Sequence, residues 1–582
     1  MTRPTRSLAA ALVAGCALLT GCVQMPTSGP VHEAEVTTSA DDVPGISFDP
    51  RPPRAGQTAA DIVSGFLEAM KATPISTTVA RQFLSREAAE TWVPEQQIIT
   101  YGDLGTALGD TAIRIPMSDV NLYDARGAWQ RTRAARDLEL GLVQEDGEWR
   151  IDQVPDALIV PDSWFDDWYQ RVSLYFFDPT SEVFVPEPVF VPRGEQFASS
   201  LVRGLLSQPT GESEDVARTY FPPGTTQGLS VPISSGIAEV ALSGDPDAID
   251  DETADRMLAQ LVWTLRQEPL IRAVKLTVGD RAFGGPGGST QVVGFDVGAA
   301  YDPNGVSSSR ELFALDGGRV VSGAIGTFET TLGPLGEDDY GVRSIGVSVS
   351  GSTVAAVTDD GRNLLVAPVD APDGEVSPVV VAAGDLAAPS WDYRDRIWVL
   401  DRGAGRARVI LVADGATRVP PVPGLSGRTV TKLLVSRDGS RLVAVIRGPR
   451  SDRVVSTRIR HDVAGTVLGF TPLRTLPLPA VGSPRIRDIG WRSPTTISVL
   501  NDINEDFSQV RTLSVDGAPG EVASGGATAL RGRIRMLVSA PVDNEAISEV
   551  FALAGRTVYS LTRPERDVPD LPRGLTSLTY VG

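Results

Sequence analysis

A spaced recurrence in the carboxyl-terminal half constrains the fold most. Ser348, Trp391, Ser436 and Trp491 each stand six residues before an apolar run, and the runs start at Val354, Ile397, Leu442 and Ile497. The starts are 43, 45 and 55 residues apart, and a weaker fifth unit follows near Ser539. Turn signals fall between the runs, as in Ser350-Gly351-Ser352, Asp359-Asp360-Gly361 and Arg437-Asp438-Gly439-Ser440. No long amphipathic helix pattern interrupts them. Units of roughly 40 to 50 residues, each built of several short strands, are the signature of β-propeller blades. Residues 306–582 are therefore expected to form an all-β propeller domain whose apolar runs are the inner blade strands. The uneven spacing leaves the blade number open between five and seven, and leaves a pair of β-sandwiches as the alternative.

Two further folded units precede this half, so the chain is multidomain. Gly284, Gly285, Pro286, Gly287 and Gly288 mark a linker that has neither the G-x-G-x-x-G pattern nor the Lys-Ser/Thr ending of a phosphate-binding loop. Before it, residues 171–283 read as α/β. Strands are expected over 172–177 and 183–191, a helix over 196–206, and strands near 229–231 and 237–242. An amphipathic helix over 251–267 follows, with Leu258, Leu261, Val262 and Leu265 on one face, and then a strand over 271–278. This order, with Phe221-Pro222-Pro223-Gly224-Thr225, Ala238-Glu239-Val240-Ala241-Leu242-Ser243 and Leu261-Val262-Trp263-Thr264-Leu265, resembles the GerMN domain of spore-germination and envelope lipoproteins, a binding or assembly module. Residues 58–165 read as α+β. Thr58-Ala59-Ala60-Asp61 has capping-box spacing before Ile62, Val63, Phe66, Leu67 and Met70, a second helix is expected over 77–92, and period-two segments follow. The closing Asp146-Gly147-Glu148-Trp149-Arg150-Ile151 hairpin is similar to that of nuclear-transport-factor-two-like α+β cones. Trp164, Phe165, Trp168 and Tyr169 suit a sugar platform, a partner anchor or, more commonly for such a cluster, packing between neighbouring domains.

The amino terminus sets the address. Arg3 and Arg6 precede about a dozen mostly apolar residues, too few to span a bilayer, and Leu19-Thr20-Gly21-Cys22 follows. This resembles a lipobox, which implies cleavage of residues 1–21 as a signal peptide and S-diacylglycerol plus N-acyl modification of Cys22. The anchor would then hold the chain on the outer face of the cell membrane, because several acyl chains together bind far more durably than one. An ordinary secretory signal with a chance cysteine is the alternative. Residues 22–57, with six prolines among Thr, Ser, Gly and acidic residues, read as a lipidated tether. Cys16 is the only other cysteine, so the mature chain can form no internal disulfide and must rely on apolar cores.

Candidate chemistry is sparse. The histidines are His32 and His461, which leaves little for His-based triads or multi-His metal sites. No catalytic, cofactor-binding or metal-binding residue is assigned, and the chain is expected not to be an enzyme. Adjacent carboxylates at Asp166-Asp167, Asp250-Asp251, Asp338-Asp339 and Asp359-Asp360 are of the kind usually solvated at turns and helix starts. A formal charge of −20 argues against nucleic acid as a partner and against a basic patch for anionic lipid. The sequence of a lipidated cysteine, tether, α+β unit, GerMN unit and propeller resembles the LpqB lipoproteins of actinobacteria along essentially the whole chain. That resemblance implies an accessory of the MtrAB two-component system, touching the ectodomain of the sensor kinase MtrB, in envelope homeostasis and division. The alternative is an envelope-glycan binder or hydrolase that uses the mouth of the propeller channel.

Overall fold

A computed structural model describes residues 47–209, 215–285, 291–305, 308–478, 485–519, 527–540, 549–564 and 566–582. The signal peptide, Cys22, the tether up to residue 46 and most of the glycine linker lie outside the described residues.

The first domain lays short helices on a bent sheet. Strands run in the order 148–153, 129–145, 112–124, 97–101 and 158–161, antiparallel except for the last pair. Helix Ala59–Ala69 starts at the expected box: the Thr58 hydroxyl accepts from the Asp61 amide at 3.2 Å, and the Asp61 carboxylate accepts from the Thr58 amide at 3.0 Å. Ile62, Val63, Phe66 and Leu67 bury the inward face. The single helix expected over 77–92 is instead two, Thr78–Arg81 and Arg86–Thr91. The break has a local cause. Ser85 gives its amide to the Ile151 carbonyl and uses its hydroxyl to cap the second helix, so the chain joins the sheet where a helix would have continued.

In the second domain, strands Ile237–Leu242 and Ala273–Val278 are parallel and are joined through helix Asp251–Leu265, the βαβ unit anticipated from periodicity. Asp250 caps that helix by accepting from the Thr253 amide at 2.8 Å. A long hairpin, Tyr169–Phe177 with Phe184–Pro192, forms its own two-stranded sheet. One edge of this hairpin is sewn to the helix by Gln260, Thr264 and, one turn beyond, Gln267. These side chains bond the backbone of Tyr175 and Ser173 at 2.7–3.1 Å, which satisfies edge groups that would otherwise be buried unpaired. Residues 229–231, expected to be extended, form no strand, and Leu229 is fully exposed.

Among the described residues, the carboxyl-terminal half is a propeller of six sheets. Strand Leu575–Thr579 closes the ring by pairing with Leu312–Asp316 of the first blade. Innermost strands 575–579, 342–347, 390–391, 430–435, 486–493 and 536–540 neighbour one another in turn around the axis. Six apolar cores lie between successive blades, and each second strand feeds two of them. Val354 and Ala356 enter the core shared with Phe313 and Leu315, whereas Ala355 and Val357 enter the core shared with Trp391 and Ile397. Leu442, Ala444 and Ile446 face Trp398 and Leu400, while Val443 and Val445 face Ile489 and Trp491.

This geometry corrects the strand assignment. The recurrent apolar runs are the second strands of the blades, since only a strand buried on both faces loses polar alternation. The residues that precede them end the inner strands. Trp391 and Trp491 lie there and donate their indole N–H groups to the Gly346 and Val435 carbonyls of the preceding inner strand, at 3.0 and 3.1 Å.

Candidate functional site

Cys22, the one site residue assigned from sequence, lies outside the described residues. The carboxylate pairs do not converge. Asp250 caps a helix, Asp339 accepts from the Gly341 amide, Asp360 accepts from the Arg362 amide, and Asp166-Asp167 is exposed on helix Asp162–Trp168. His461 is buried at the second domain, where burial and then the Arg396 charge hold its imidazole neutral down to about 3. No cluster of three metal-capable side chains occurs among the described residues.

Two places bring polar side chains together. The first is the junction of all three domains. Phe190 of the second-domain hairpin packs against Tyr123 and Phe165 of the first domain, with ring centroids 5.3 and 5.4 Å apart, and Phe165 stacks on Tyr169 at 4.6 Å. The aromatic cluster is thus packing between domains. Three residues earlier on the same strand, Glu187 projects into the propeller and accepts from both terminal nitrogens of Arg458 at 2.5 and 3.0 Å and from Arg441 at 3.2 Å. Arg441 also donates to the Pro186 carbonyl at 2.6 Å. Burial works to raise the Glu187 pKa, but the Arg458 and Arg441 charges outweigh it and hold the carboxyl below its ordinary value. A cavity of about 320 Å³ opens beside this cluster, with Arg126 and Trp129 of the first domain and Asp516 of the propeller in its wall. Further along the interface, the Tyr393 hydroxyl donates to Asp178 at 2.8 Å, and Arg394 pairs with Glu182 at 2.6 Å.

These contacts cover one face of the propeller, where first strands turn into second strands. Arg437, 8% exposed, lies at this end of the central channel and donates to Asn304 of the second domain at 3.0 Å and to the Val581 carbonyl at 2.6 Å. Tyr580, Val581 and Gly582 line the same end. At the opposite end the channel is rimmed by Arg343, Arg402, Thr431, Lys432 and Asp488, and the cavity between has a volume of about 390 Å³. Asp385, just behind the rim, binds Arg343 at 2.5 Å and Arg402 at 3.0 Å. Burial works against its ionisation, yet the hydrogen bond from Arg343 and the Arg402 charge keep its pKa below the usual carboxylate range. Lys432 binds Asp488 at 2.7 Å.

Comparison with known families accounts for this architecture. Residues 52–166 match the N-terminal domain of lipoprotein LpqB, residues 173–282 match the sporulation and spore germination family, and residues 318–532 match the LpqB β-propeller domain. The chain belongs to the LpqB lipoprotein family. Lipoprotein LpqB of Thermobifida fusca is 28% identical, with 89% of this chain and 91% of that protein covered. LpqB of Streptomyces coelicolor is 29% identical, with 90% of each covered. A solved first GerMN domain of the sporulation protein GerM from Bacillus subtilis is 22% identical, with a TM-score of 0.18, over 22% of this chain and 97% of that one.

The LpqB propeller match stops at residue 532, but the ring does not: the sixth sheet and the closing strand lie beyond it. No helix among the described residues is long and apolar enough to cross a membrane. Glu187 was not singled out from the sequence. Its signal was nonetheless present, as the only charge in the apolar strand Phe184-Val185-Pro186-Glu187-Pro188-Val189-Phe190.

Proposed function

We propose that this LpqB protein is lipid-anchored through Cys22 on the outer face of the cell membrane, where it modulates the sensor kinase MtrB by contact, as an accessory of the MtrAB system in envelope homeostasis and division. The observation that carries the proposal is the correspondence with LpqB lipoproteins over 89–90% of the chain, with its domains in the same order. A body whose three domains share buried charges and aromatic packing supports it, since force or contact at one domain is felt by the others. The channel supports modulation over hydrolysis. Glycoside hydrolysis asks for two carboxylates about 5–10 Å apart, one of them with a raised pKa, whereas among the described residues Asp488 is the one Asp or Glu side chain lining the channel and is held by Lys432.

Confinement with the kinase in one membrane plane raises the effective concentration, so even a weak interface operates. Kinase autophosphorylation in vesicles should therefore change with the anchored protein and change far less with a soluble form lacking residues 1–22. Fatty-acid labelling should disappear in Cys22→Ala. Equal kinase activity with anchored protein, soluble protein and none, together with release of sugars from purified cell wall, would reject the modulator in favour of a hydrolase.

A further inference from the structure

The wall of the propeller channel carries a charge opposite to that of the molecule. Among the described residues, Arg343, Arg402, Lys432 and Arg437 line it against the single carboxylate side chain of Asp488, in a chain of formal charge −20. Nearby acids cancel the excess only in part, with Asp360 and Asp302 acting on Arg343 and Arg437 from beyond ion-pair contact. Arg343 and Arg402 share one carboxylate, Asp385, so the rim retains a positive charge after pairing. Lys432 is spent on Asp488. At the closed end, Arg437 hydrogen-bonds only neutral oxygens, those of Asn304, Ser308 and Val581, and the Asp302 carboxylate answers its charge without forming an ion pair within 4.0 Å. A cleft of one sign with low-dielectric walls concentrates ions of the other sign.

The space is built to hold something. Its volume of about 390 Å³ falls in the range of small-molecule sites, roughly 300–1,000 Å³. The Thr431 hydroxyl is buried in its wall with no hydrogen-bond partner, although buried polar groups are nearly always satisfied. The rim cations remain within reach of solvent, with 34%, 35% and 40% of the Arg343, Arg402 and Lys432 side chains exposed.

We propose that the open end of the propeller channel binds a small anionic ligand bearing a phosphate or carboxylate group, with Arg402 and Arg343 meeting the charge and the buried Thr431 hydroxyl turning about χ1 to supply a directed hydrogen bond. This site goes beyond kinase contact and stands whether or not that contact exists.

The test is calorimetric titration of the full chain at fixed ionic strength with inorganic phosphate, glycerol 3-phosphate and glucuronate, with glycerol and glucose as neutral controls. The three anions distinguish a free phosphate, a phosphorylated polyol and an acidic sugar as the preferred form. Saturable binding is expected for at least one anion and for neither neutral compound. Arg402→Gln should weaken it about tenfold, Thr431→Val severalfold, and Arg418→Gln, exposed outside the channel, should leave it unchanged. Arg343 still pairs with Asp385 in Arg402→Gln, and Thr431→Val removes no charge, so the two variants do not share a route to misfolding. Failure of every anion to saturate, or equal affinity in wild type, Arg402→Gln and Thr431→Val, would overturn the proposal.

Discussion

Glu187 shows how much a single side chain can decide. Its neighbours Pro186 and Pro188 bring no backbone N–H, so its carboxylate is answered from the propeller by Arg441, 3% exposed, and Arg458, 16% exposed. Replacement by glutamine would leave Arg458 buried at a domain interface without the carboxylate it binds and Arg441 with only Asp438 at 3.8 Å, and breaking a buried ion pair from one side costs about 3–5 kcal/mol. Glu187→Gln should lose stability on that scale in urea denaturation of the full chain. An unchanged midpoint and slope would show that the pair is energetically idle. The same carboxylate predicts a pH dependence. Its pKa is lowered in the folded chain, so its stabilising contribution is complete above the unfolded glutamate value of about 4.3 and is lost as pH falls below it. In Glu187→Gln that share of the acid sensitivity should be missing.

At the level of strands, the second strand of each blade is where stability concentrates. Leu442 is 0% exposed between blades three and four, and truncation of such a leucine costs about 2–5 kcal/mol through lost transfer energy and the cavity left behind. Leu442→Ala should lower the thermal midpoint markedly, whereas Val419→Ala at an exposed site should not; equal effects would contradict the interblade core. The same burial explains what the sequence disclosed. Strands apolar on both faces stood out as runs, which gave the propeller, and a parallel pair flanking an amphipathic helix gave the second domain. The inner strands did not stand out. They carry Ser344, Gly346, Gly490, Ser539 and Ser577, because one edge borders the channel and Gly346 must let the Pro389 carbonyl approach. Blade number was hidden for a related reason: the closing strand 575–579 belongs to a sheet that begins at residue 312, and linear spacing cannot express that pairing. The rim of the channel was equally illegible, as its cations come from blades far apart in sequence.

On the scale of the whole molecule, strand Phe184–Pro192 is shared among the three domains. Val185, Val189 and Val191 belong to the second domain, Phe190 is buried in the first, and Glu187 is held by the propeller. Domains joined by such a strand cannot be separated without exposing apolar surface and an unpaired charge at once, so their unfolding should be coupled. Calorimetry of the native chain should show one dominant transition. Phe190→Ala removes the ring packed against Tyr123 and Phe165, at a cost of about 3–5 kcal/mol, and should split that transition, with the first domain melting ahead of the other two. Three resolved transitions in the unmodified chain would mean that the domains are merely tethered neighbours. Coupling matters to the proposed function because the first domain follows the lipidated tether, whereas the open channel mouth lies on the propeller face opposite its contact with the second domain. If the three domains unfold as one, an event at that mouth has a continuous packed path to the membrane-proximal end; if Phe190→Ala uncouples them, the same variant should abolish any influence of anion binding on the first domain while leaving the affinity for the anion intact.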